Sequence, residues 1–411
     1  MAMKPIACAT IPLLLAALPT QAVTLEQLNK QVQQMNQRIA EQDNKFRING
    51  FASFGMAISD EEMAYNGVND EITFNRFSKM GVQMTFNLDD RNSVVTQLVS
   101  RGNESWNTTA EWAYFKHDFG GGLSGKIGRI RLPAYQLSEF LDVGYATPYA
   151  QVPAETYDSL DPFANMEGID LSYSMDVGDN TATFQFVYGR AKDDEFDLKD
   201  ILGLNAIYQA EVWSARVGIA QASVDVVEPD GAAAITDVYG GKATGIDGTF
   251  ASLGFTYDPG TLYFTTEFTR LEAKGEVVDA DALYATVGYR MGRMMPFFTY
   301  ATAESQDDDE RSAQAAADNL TGGNPSLLPA SAQQAIAGVQ AASDRNTQRI
   351  GLGLRYDIAS GTALKVQFDM IEVKDDKSGL FDDTAWATNV LTSAENPDKA
   401  NILTISIDTV F

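Results

Sequence analysis

The sequence predicts an all-β fold, namely a transmembrane antiparallel β-barrel of about 16 strands, preceded by a short N-terminal α-helical coiled coil. Three observations support this prediction: apolar and polar residues alternate with period two from residue 46 almost to the end, short and long connections follow one another regularly, and no long apolar stretch follows the N-terminus. A membrane helix needs about 18 or more consecutive apolar residues. If the chain crosses a membrane, we therefore expect it to cross as strands.

Residues 1–22 have the layout of a secretory signal peptide. Lys4 precedes an apolar run from Ile11 to Leu18, and Thr20-Gln21-Ala22 supplies small residues for cleavage. The only cysteine, Cys8, lies ahead of the apolar run and would be removed with it. The mature chain would then contain no thiol, and a closed barrel that pairs every backbone group would stabilise it without disulfides.

Residues 23–45 are predicted to form a periplasmic coiled-coil stalk. Apolar residues recur there with the heptad a/d spacing, at Leu25, Leu28, Val32, Met35, Ile39 and Phe46, with a single interruption at Gln42. About three heptads are marginal in a monomeric helix. This length favours an oligomerisation stalk over the alternative of a lone amphipathic helix packed on the barrel.

Residues 46–411 form the predicted barrel domain. In the segment Gln348 to Ile358, one face carries Ile350, Leu352, Leu354 and Tyr356, and the other carries Arg349, Gly351, Gly353, Arg355 and Asp357. One face suits lipid and the other water, although soluble sheets also alternate, so the number of such segments decides. Sixteen strands are predicted to begin near Phe46, Thr73, Ser93, Thr108, Leu123, Met166, Thr181, Ile201, Val212, Thr249, Thr261, Ala282, Met295, Thr347, Thr362 and Asn401.

The predicted connections alternate in length. Even-numbered strands lead into tight turns such as Asp258-Pro259-Gly260 and Ala359-Ser360-Gly361, whereas odd-numbered strands lead into medium or long polar loops. This alternation and an even strand count are typical of bacterial outer-membrane barrels, which have short periplasmic turns and long extracellular loops. Both ends of the barrel domain would then lie on the periplasmic side.

Two segments resemble a known family. The last strand, Asn401 to Phe411, alternates apolar residues and ends on the aromatic itself, which resembles the C-terminal signature of Gram-negative porins. The segment from Glu111-Trp112-Ala113-Tyr114 through Gly128-Arg129 to Pro133 resembles the fourth and fifth strands of trimeric outer-membrane porins. The coiled coil ahead of the barrel resembles a subset of trimeric channels that includes dicarboxylate-type and sucrose-type porins.

The resemblance implies several properties. The protein would lie in the Gram-negative outer membrane as a homotrimer, in contact with outer-membrane lipid and lipopolysaccharide. The barrel-assembly machinery would read Phe411 as an assembly signal. Residues 133–165 would form the third loop, which in porins folds into the barrel and narrows the channel; the alternative is a cap over the mouth. The predicted pore-lining carboxylates of this loop are Glu139, Asp142, Glu155, Asp158 and Asp161.

Strand alternation places basic residues on the wall that faces this loop. The predicted pore-wall residues are Arg216, Arg290, Arg349, Arg355 and Lys365, with Arg47 or Arg101 as further candidates. Opposed charges across a narrow waist would create a transverse field that orients dipolar solutes. In a second, compatible interpretation, the same arginines hold the loop by ion pairs. Near Gly128 the alternation fails, so the sequence leaves open which of Lys126, Arg129 and Arg131 faces the pore.

These features predict passive diffusion of ions and small hydrophilic solutes through a water-filled channel with weak cation preference. The alternatives are a channel selective for dicarboxylates or sugars and a structural or adhesive outer-membrane protein. An enzyme is not expected, because the only histidine, His117, lies at a predicted periplasmic strand end and no thiol remains to act as a nucleophile. No cofactor or metal is predicted, and the net charge of -26 argues against nucleic-acid binding.

Overall fold

The computed structural model describes residues 45–158, 160, 164–275 and 277–411. The predicted signal peptide and almost all of the predicted stalk lie outside these residues, so both stay predictions. Among the described residues, no helix combines the length and the apolar character needed to cross a bilayer.

Sixteen antiparallel strands close into one barrel, in which each strand pairs with its neighbours in sequence and β1 pairs with β16. The strands are β1 Phe46–Ser59, β2 Lys79–Asn87, β3 Asn92–Arg101, β4 Thr108–Gly120, β5 Leu123–Arg131, β6 Asn165–Val177, β7 Asn180–Lys192, β8 Phe196–Gln209, β9 Trp213–Val226, β10 Ile246–Tyr257, β11 Leu262–Ala273, β12 Ala280–Tyr289, β13 Met294–Ser305, β14 Asn346–Ala359, β15 Thr362–Val373 and β16 Lys399–Val410. The predicted antiparallel β-barrel and its strand number are confirmed, whereas the predicted coiled coil stays a prediction.

Two predicted strand starts differ from the observed ones by more than three residues. Thr73 forms only an isolated bridge with Ala57, and continuous pairing with β1 starts at Lys79. The start of β8 precedes the predicted Ile201 by five residues, because the register shifts on both of its sides, for example between Gly189 and Ala191 of β7. Extra residues at such irregularities break the period of two on which the prediction rests.

The short turns lie at one end of the barrel, called here the turn end, and the other connections lie at the loop end. Long connections follow β1, β5, β9, β13 and β15, at residues 60–78, 132–164, 227–245, 306–345 and 374–398. The connections at residues 102–107 and 193–195 are short. The second of these contradicts the predicted rule that every odd-numbered strand leads into a medium or long loop, because β7 and β8 continue as a hairpin beyond their neighbours.

Five α-helices lie in the connections between the described strands. They are α1 Ala154–Tyr157, α2 Pro229–Ala233, α3 Ala313–Leu320, α4 Ala330–Ser343 and α5 Asp383–Thr392. Loops 227–245, 306–345 and 374–398 pack together into what we call the helical cap. Its side-chain cluster includes Tyr239, Ala317 and Ile336.

A buried ion cluster joins two loops of the helical cap. Arg311 is fully buried, and its guanidinium binds Asp307 at 2.8 Å and Asp344 at 2.9 Å. Lys377 from loop 374–398 reaches Asp344 at 3.5 Å. Burial raises the pKa of the Asp344 carboxyl above its ordinary value, although Arg311 and Lys377 oppose the shift. The loops of the helical cap are therefore held together by ion pairs as well as by apolar contacts.

The outward face of the barrel is apolar and differs around its circumference. Outward tyrosines and tryptophans occur on β6 to β14, at Tyr173, Tyr188, Tyr208, Trp213, Tyr257, Tyr289, Tyr300 and Tyr356. The described strands β15, β16 and β1 to β5 carry none on this face, and they present Met, Phe, Leu, Ile and Val instead. Tyrosine and tryptophan are enriched where a barrel meets the two lipid interfaces. The residues that suit the lipid interfaces are thus confined to one part of the circumference.

Candidate functional site

The connection between β5 and β6 lies inside the barrel. Near its start, Ala134 O accepts a hydrogen bond from Arg216 of β9 at 2.9 Å. Farther along, Leu141 O accepts one from Lys79 of β2 at 2.9 Å, and Tyr149 donates to Thr286 of β12 at 2.8 Å. Because these partners are inward side chains on distant strands, the loop occupies the lumen, and we call residues 132–164 the lumen loop.

A cluster of charges fixes the loop at Asp142. The Asp142 carboxylate lies 2.9 Å from Arg101, 3.1 Å from Arg131 and 3.7 Å from Lys79. Glu111 binds the same two arginines at 2.7 Å and 3.3 Å. We call these five side chains the Asp142 cluster. It combines three cations with two carboxylates, and its Lys79 and Arg101 side chains remain 22% and 18% exposed.

A second anchor is the buried ion pair of Glu155 and Arg349. The Arg349 Nε lies 2.9 Å from the Glu155 Oε2, and its Nη1 lies 3.4 Å from the Asp369 Oδ2. All three side chains are at most 1% exposed. Tyr65, from loop 60–78, donates a hydrogen bond to Glu155 at 3.2 Å. This anchor therefore connects the lumen loop to β14, β15 and the loop above β1.

The other basic wall residues bind carbonyl groups of the loop. Arg355 donates to Tyr145 O and Thr147 O at 2.7 and 2.9 Å, and Lys365 donates to Gly144 O and Tyr149 O at 2.6 and 2.7 Å. Lys365 also pairs with Asp408 at 2.9 Å. These cations satisfy backbone acceptors of an irregular segment that has no strand partner.

The predicted site residues have different positions. Four predicted wall residues contact the loop, namely Arg216, Arg349, Arg355 and Lys365. Arg290 lies at the turn end, where it pairs with Asp258. Of the predicted loop carboxylates, Asp142 and Glu155 are buried in ion pairs, and Asp158 pairs with Arg345 at 3.0 Å. Glu139 is exposed, and Asp161 lies outside the described residues.

One part of the lumen wall carries polar side chains whose exposure ranges from the buried Asp170 to the half-exposed Glu139, and we call it the open side. There, Lys126 of β5 lies 3.1 Å from Asp170 of β6 and 3.9 Å from Glu139 of the loop. Its ammonium also lies 5.7 Å from the centre of the Tyr114 ring. Gln185 of β7 donates to Asp170 at 2.8 Å.

The question that the sequence leaves open near Gly128 is answered by these contacts. Lys126 points into the lumen, whereas Arg129 pairs with the exposed Glu167 and Arg131 joins the Asp142 cluster. Gly128 itself has a φ of 132°, which an L side chain rarely adopts. The pairing of β5 nevertheless continues through Gly128 without a register shift, so the faces alternate from Lys126 to Arg129, and the exception is Arg131, the last residue of the strand.

Three loop tyrosines pack against the opposite wall. Tyr135 contacts Phe250, Tyr149 contacts Phe297 and Tyr157 contacts Tyr284, with ring centres 5.2–5.7 Å apart. Their rings are at most 5% exposed. They are therefore unavailable for stacking against a solute in the lumen.

The described residues contain no group of three or more His, Cys, Asp or Glu side chains placed to hold a metal ion. His117 lies on the outward face, where its Nδ1 is 2.7 Å from Asn92 Oδ1 and its ring packs on Phe119. The polar groups of the lumen thus form a charged lining around an inserted loop.

The sixteen antiparallel strands close into a barrel, and the third connection at the loop end, between β5 and β6, folds inward. This is the architecture of outer-membrane porins. No family model matches the sequence. No curated protein matches it either.

Solved structures with a similar fold are outer-membrane proteins. An anion-selective porin from Comamonas acidovorans is 13% identical, with a TM-score of 0.57 over 89% of this chain and 99% of that chain. OprB from Pseudomonas putida is 12% identical, with a TM-score of 0.54 over 92% and 97%. The trimer form of OmpT, an outer membrane protein of Vibrio cholerae, is 11% identical, with a TM-score of 0.53 over 89% and 99%. The chain shares the porin fold with them.

Proposed function

We propose that this protein is a porin of the Gram-negative outer membrane, a water-filled channel for passive diffusion of ions and small hydrophilic solutes. The observation that carries this proposal is the polar open side beside an inserted loop, within a barrel whose outward face is apolar. Sixteen strands enclose a lumen wide enough for water, whereas eight strands enclose one that side chains fill. Lipid and lipopolysaccharide surround the barrel, and the barrel-assembly machinery reads Phe411.

General diffusion fits the lumen better than a channel for one solute class. Three of the four loop tyrosines, which could have served a sugar path, are buried against the wall, and the fourth, Tyr145, has its ring centre 4.6 Å from the Arg355 guanidinium. Four of the basic wall residues bind loop carbonyls or carboxylates, so they offer no ladder for dicarboxylates or phosphates. On the open side, the two carboxylates Glu139 and Asp170 outnumber the single ammonium of Lys126. This balance supports a weak preference for cations.

Planar bilayers test the channel directly. We expect the purified protein to open in steady conductance steps, and we expect the reversal potential in a salt gradient to indicate weak cation preference. The physical reason is a lumen lined by charged side chains, with two carboxylates and one ammonium on the open side. Complete absence of conductance would refute the channel and favour a structural or adhesive role. A strong preference for anions would contradict the proposed selectivity alone.

We also propose that the channel is a homotrimer whose subunits meet on the outward face of β15, β16 and β1 to β5. This face lacks the tyrosines and tryptophans that anchor a surface in lipid. Apolar side chains such as Phe54, which is 57% exposed in the single chain, would be covered there by a second copy. The predicted stalk, residues 23–45, would bring three chains together.

Spin labels distinguish the covered face from the lipid face. We expect a nitroxide at Phe54→Cys to be shielded from oxygen dissolved in lipid, whereas one at Phe184→Cys should collide with it freely. Phe184 is a matched control because it is an outward phenylalanine on β7 with 51% exposure. Equal oxygen accessibility at the two positions would place the interface elsewhere or exclude it.

A further inference from the structure

The last residue of the chain is locked onto the first strand of the barrel. Gly50 of β1 donates a hydrogen bond to Phe411 O at 2.7 Å, and Phe411 N donates to Gly50 O at 2.9 Å. The Phe411 ring covers Gly50, so closely that a β-carbon added at Gly50 would overlap it. Both the backbone and the side chain of the terminal residue therefore hold β1.

The pairing of β1 with β16 differs from every other pairing in the barrel. All other neighbouring strands are consecutive in sequence, whereas this pair joins the two ends of the barrel domain. The entropic cost of bringing two segments together grows with the length of chain between them. An open seam would also expose backbone N–H and C=O groups to hydrocarbon, where each unsatisfied group is costly. Among the strand pairs of the barrel, the β1–β16 pair therefore has the greatest need of an additional stabilising contact.

The same strand is held on its other edge by a similar contact. The ring of Phe51 covers Gly81 of β2, and a β-carbon at Gly81 would overlap that ring. Because successive residues of a strand point to opposite faces, Gly50 receives a ring outside the barrel while Phe51 supplies one inside. Glycine within a strand leaves bare backbone, and a neighbouring aromatic ring can cover it. Both edges of β1 are locked at one height.

We propose that Phe411 is the closure latch of the barrel, whose ring seated on Gly50 keeps β1 and β16 paired after the barrel has closed. This role differs from that of an assembly signal, which needs an aromatic at the C-terminus but no glycine on β1. The latch also depends on no property of the channel. Its partner residue, Gly50, therefore allows a direct test.

The test uses refolding of the purified mature chain into lipid vesicles, without any assembly machinery. We expect Gly50→Ala to lower the temperature at which the barrel loses its compact electrophoretic mobility, by roughly 2–4 °C or more. Gly248→Ala is the control, because it is also inside a strand and its added β-carbon meets only a methyl of Val224 at 3.1 Å and a carbonyl at 3.8 Å. A Gly50→Ala midpoint equal to that of Gly248→Ala would overturn the proposal.

A double-mutant cycle and hydrogen exchange complete the test. Phe411→Leu should lower the midpoint similarly, and combining it with Gly50→Ala should add little, because both substitutions remove the same contact. Additive losses would contradict the latch. If Gly50→Ala does not fold, Phe411→Leu alone decides: amide exchange should accelerate in β1 and β16 while the β8–β9 pair keeps its wild-type protection. Uniform acceleration, or none, would exclude a latch.

Discussion

Replacing Asp142 by asparagine is expected to convert weak cation preference into anion preference. The Asp142 cluster holds Lys79, Arg101 and Arg131 against two carboxylates, so loss of one carboxylate raises the net charge of these five side chains from about +1 to about +2. The more exposed Glu104, 3.3 Å from Arg101, offsets one positive charge both before and after the substitution. Lys79 and Arg101 are partly exposed, so the added charge acts on ions in the lumen. The measurement is the reversal potential in a salt gradient.

The matched control for this substitution is Asp158→Asn. Asp158 belongs to the same loop, but its carboxylate pairs only with Arg345 in the contacts described here. We expect that variant to shift the reversal potential by a small fraction of the Asp142→Asn effect. Unchanged selectivity in Asp142→Asn would mean that ions pass the cluster beyond the reach of its field, which at physiological salt extends about 8 Å.

Replacing Arg349 by methionine is expected to be the most destabilising single substitution in the lumen. It would leave the carboxylates of Glu155 and Asp369 buried without their cation. Breaking a buried pair by removing one partner typically costs about 3–5 kcal/mol. The lumen loop would also lose its attachment to β14, so we expect noisy single-channel currents. Urea unfolding in lipid vesicles measures the loss of stability.

Two comparisons make this expectation sharp. Arg270→Met removes an exposed ion pair with Asp281 on the outward face, and exposed pairs contribute little. Adding Glu155→Gln and Asp369→Asn to Arg349→Met should recover part of the lost stability, because no carboxylate is then left buried. If Arg349→Met behaved like Arg270→Met, the ion pair would not anchor the loop.

The barrel was predictable because its signals are local. A period of two, tight turns between even and odd strands and an apolar C-terminal strand are all properties of short segments. The predicted strand boundaries were least accurate where one extra residue shifts the register, as between Lys199 and Leu202 of β8. A single residue that does not pair reverses the face of all residues after it.

The partners of the lumen loop were less predictable than its acidic character. The sequence places Asp142 and Glu155 in the loop, but it does not indicate which distant cations meet them. Arg131 is the last residue of β5, and its side chain joins the loop rather than following the alternation of the strand. Tyr65, which binds Glu155, belongs to a loop without any periodic signal. Such pairs depend on the three-dimensional path of an irregular segment across the barrel.

The loop-end connections differ in length around the barrel, and this difference separates the surface of the helical cap from the entrance to the lumen. The helical cap extends from β9, β13 and β15. Lys126 and Asp170 lie instead on β5 and β6, whose connection folds into the lumen, and the flanking pairs β3–β4 and β7–β8 are joined by the short connections 102–107 and 193–195. In the proposed orientation the loop end faces the outside of the cell. Large particles would then contact the helical cap, and small solutes would enter the lumen beside it, at the ends of β3 to β8. Substitutions in the helical cap would therefore leave the entrance beside it, and the charges of Lys126 and Asp170, unchanged.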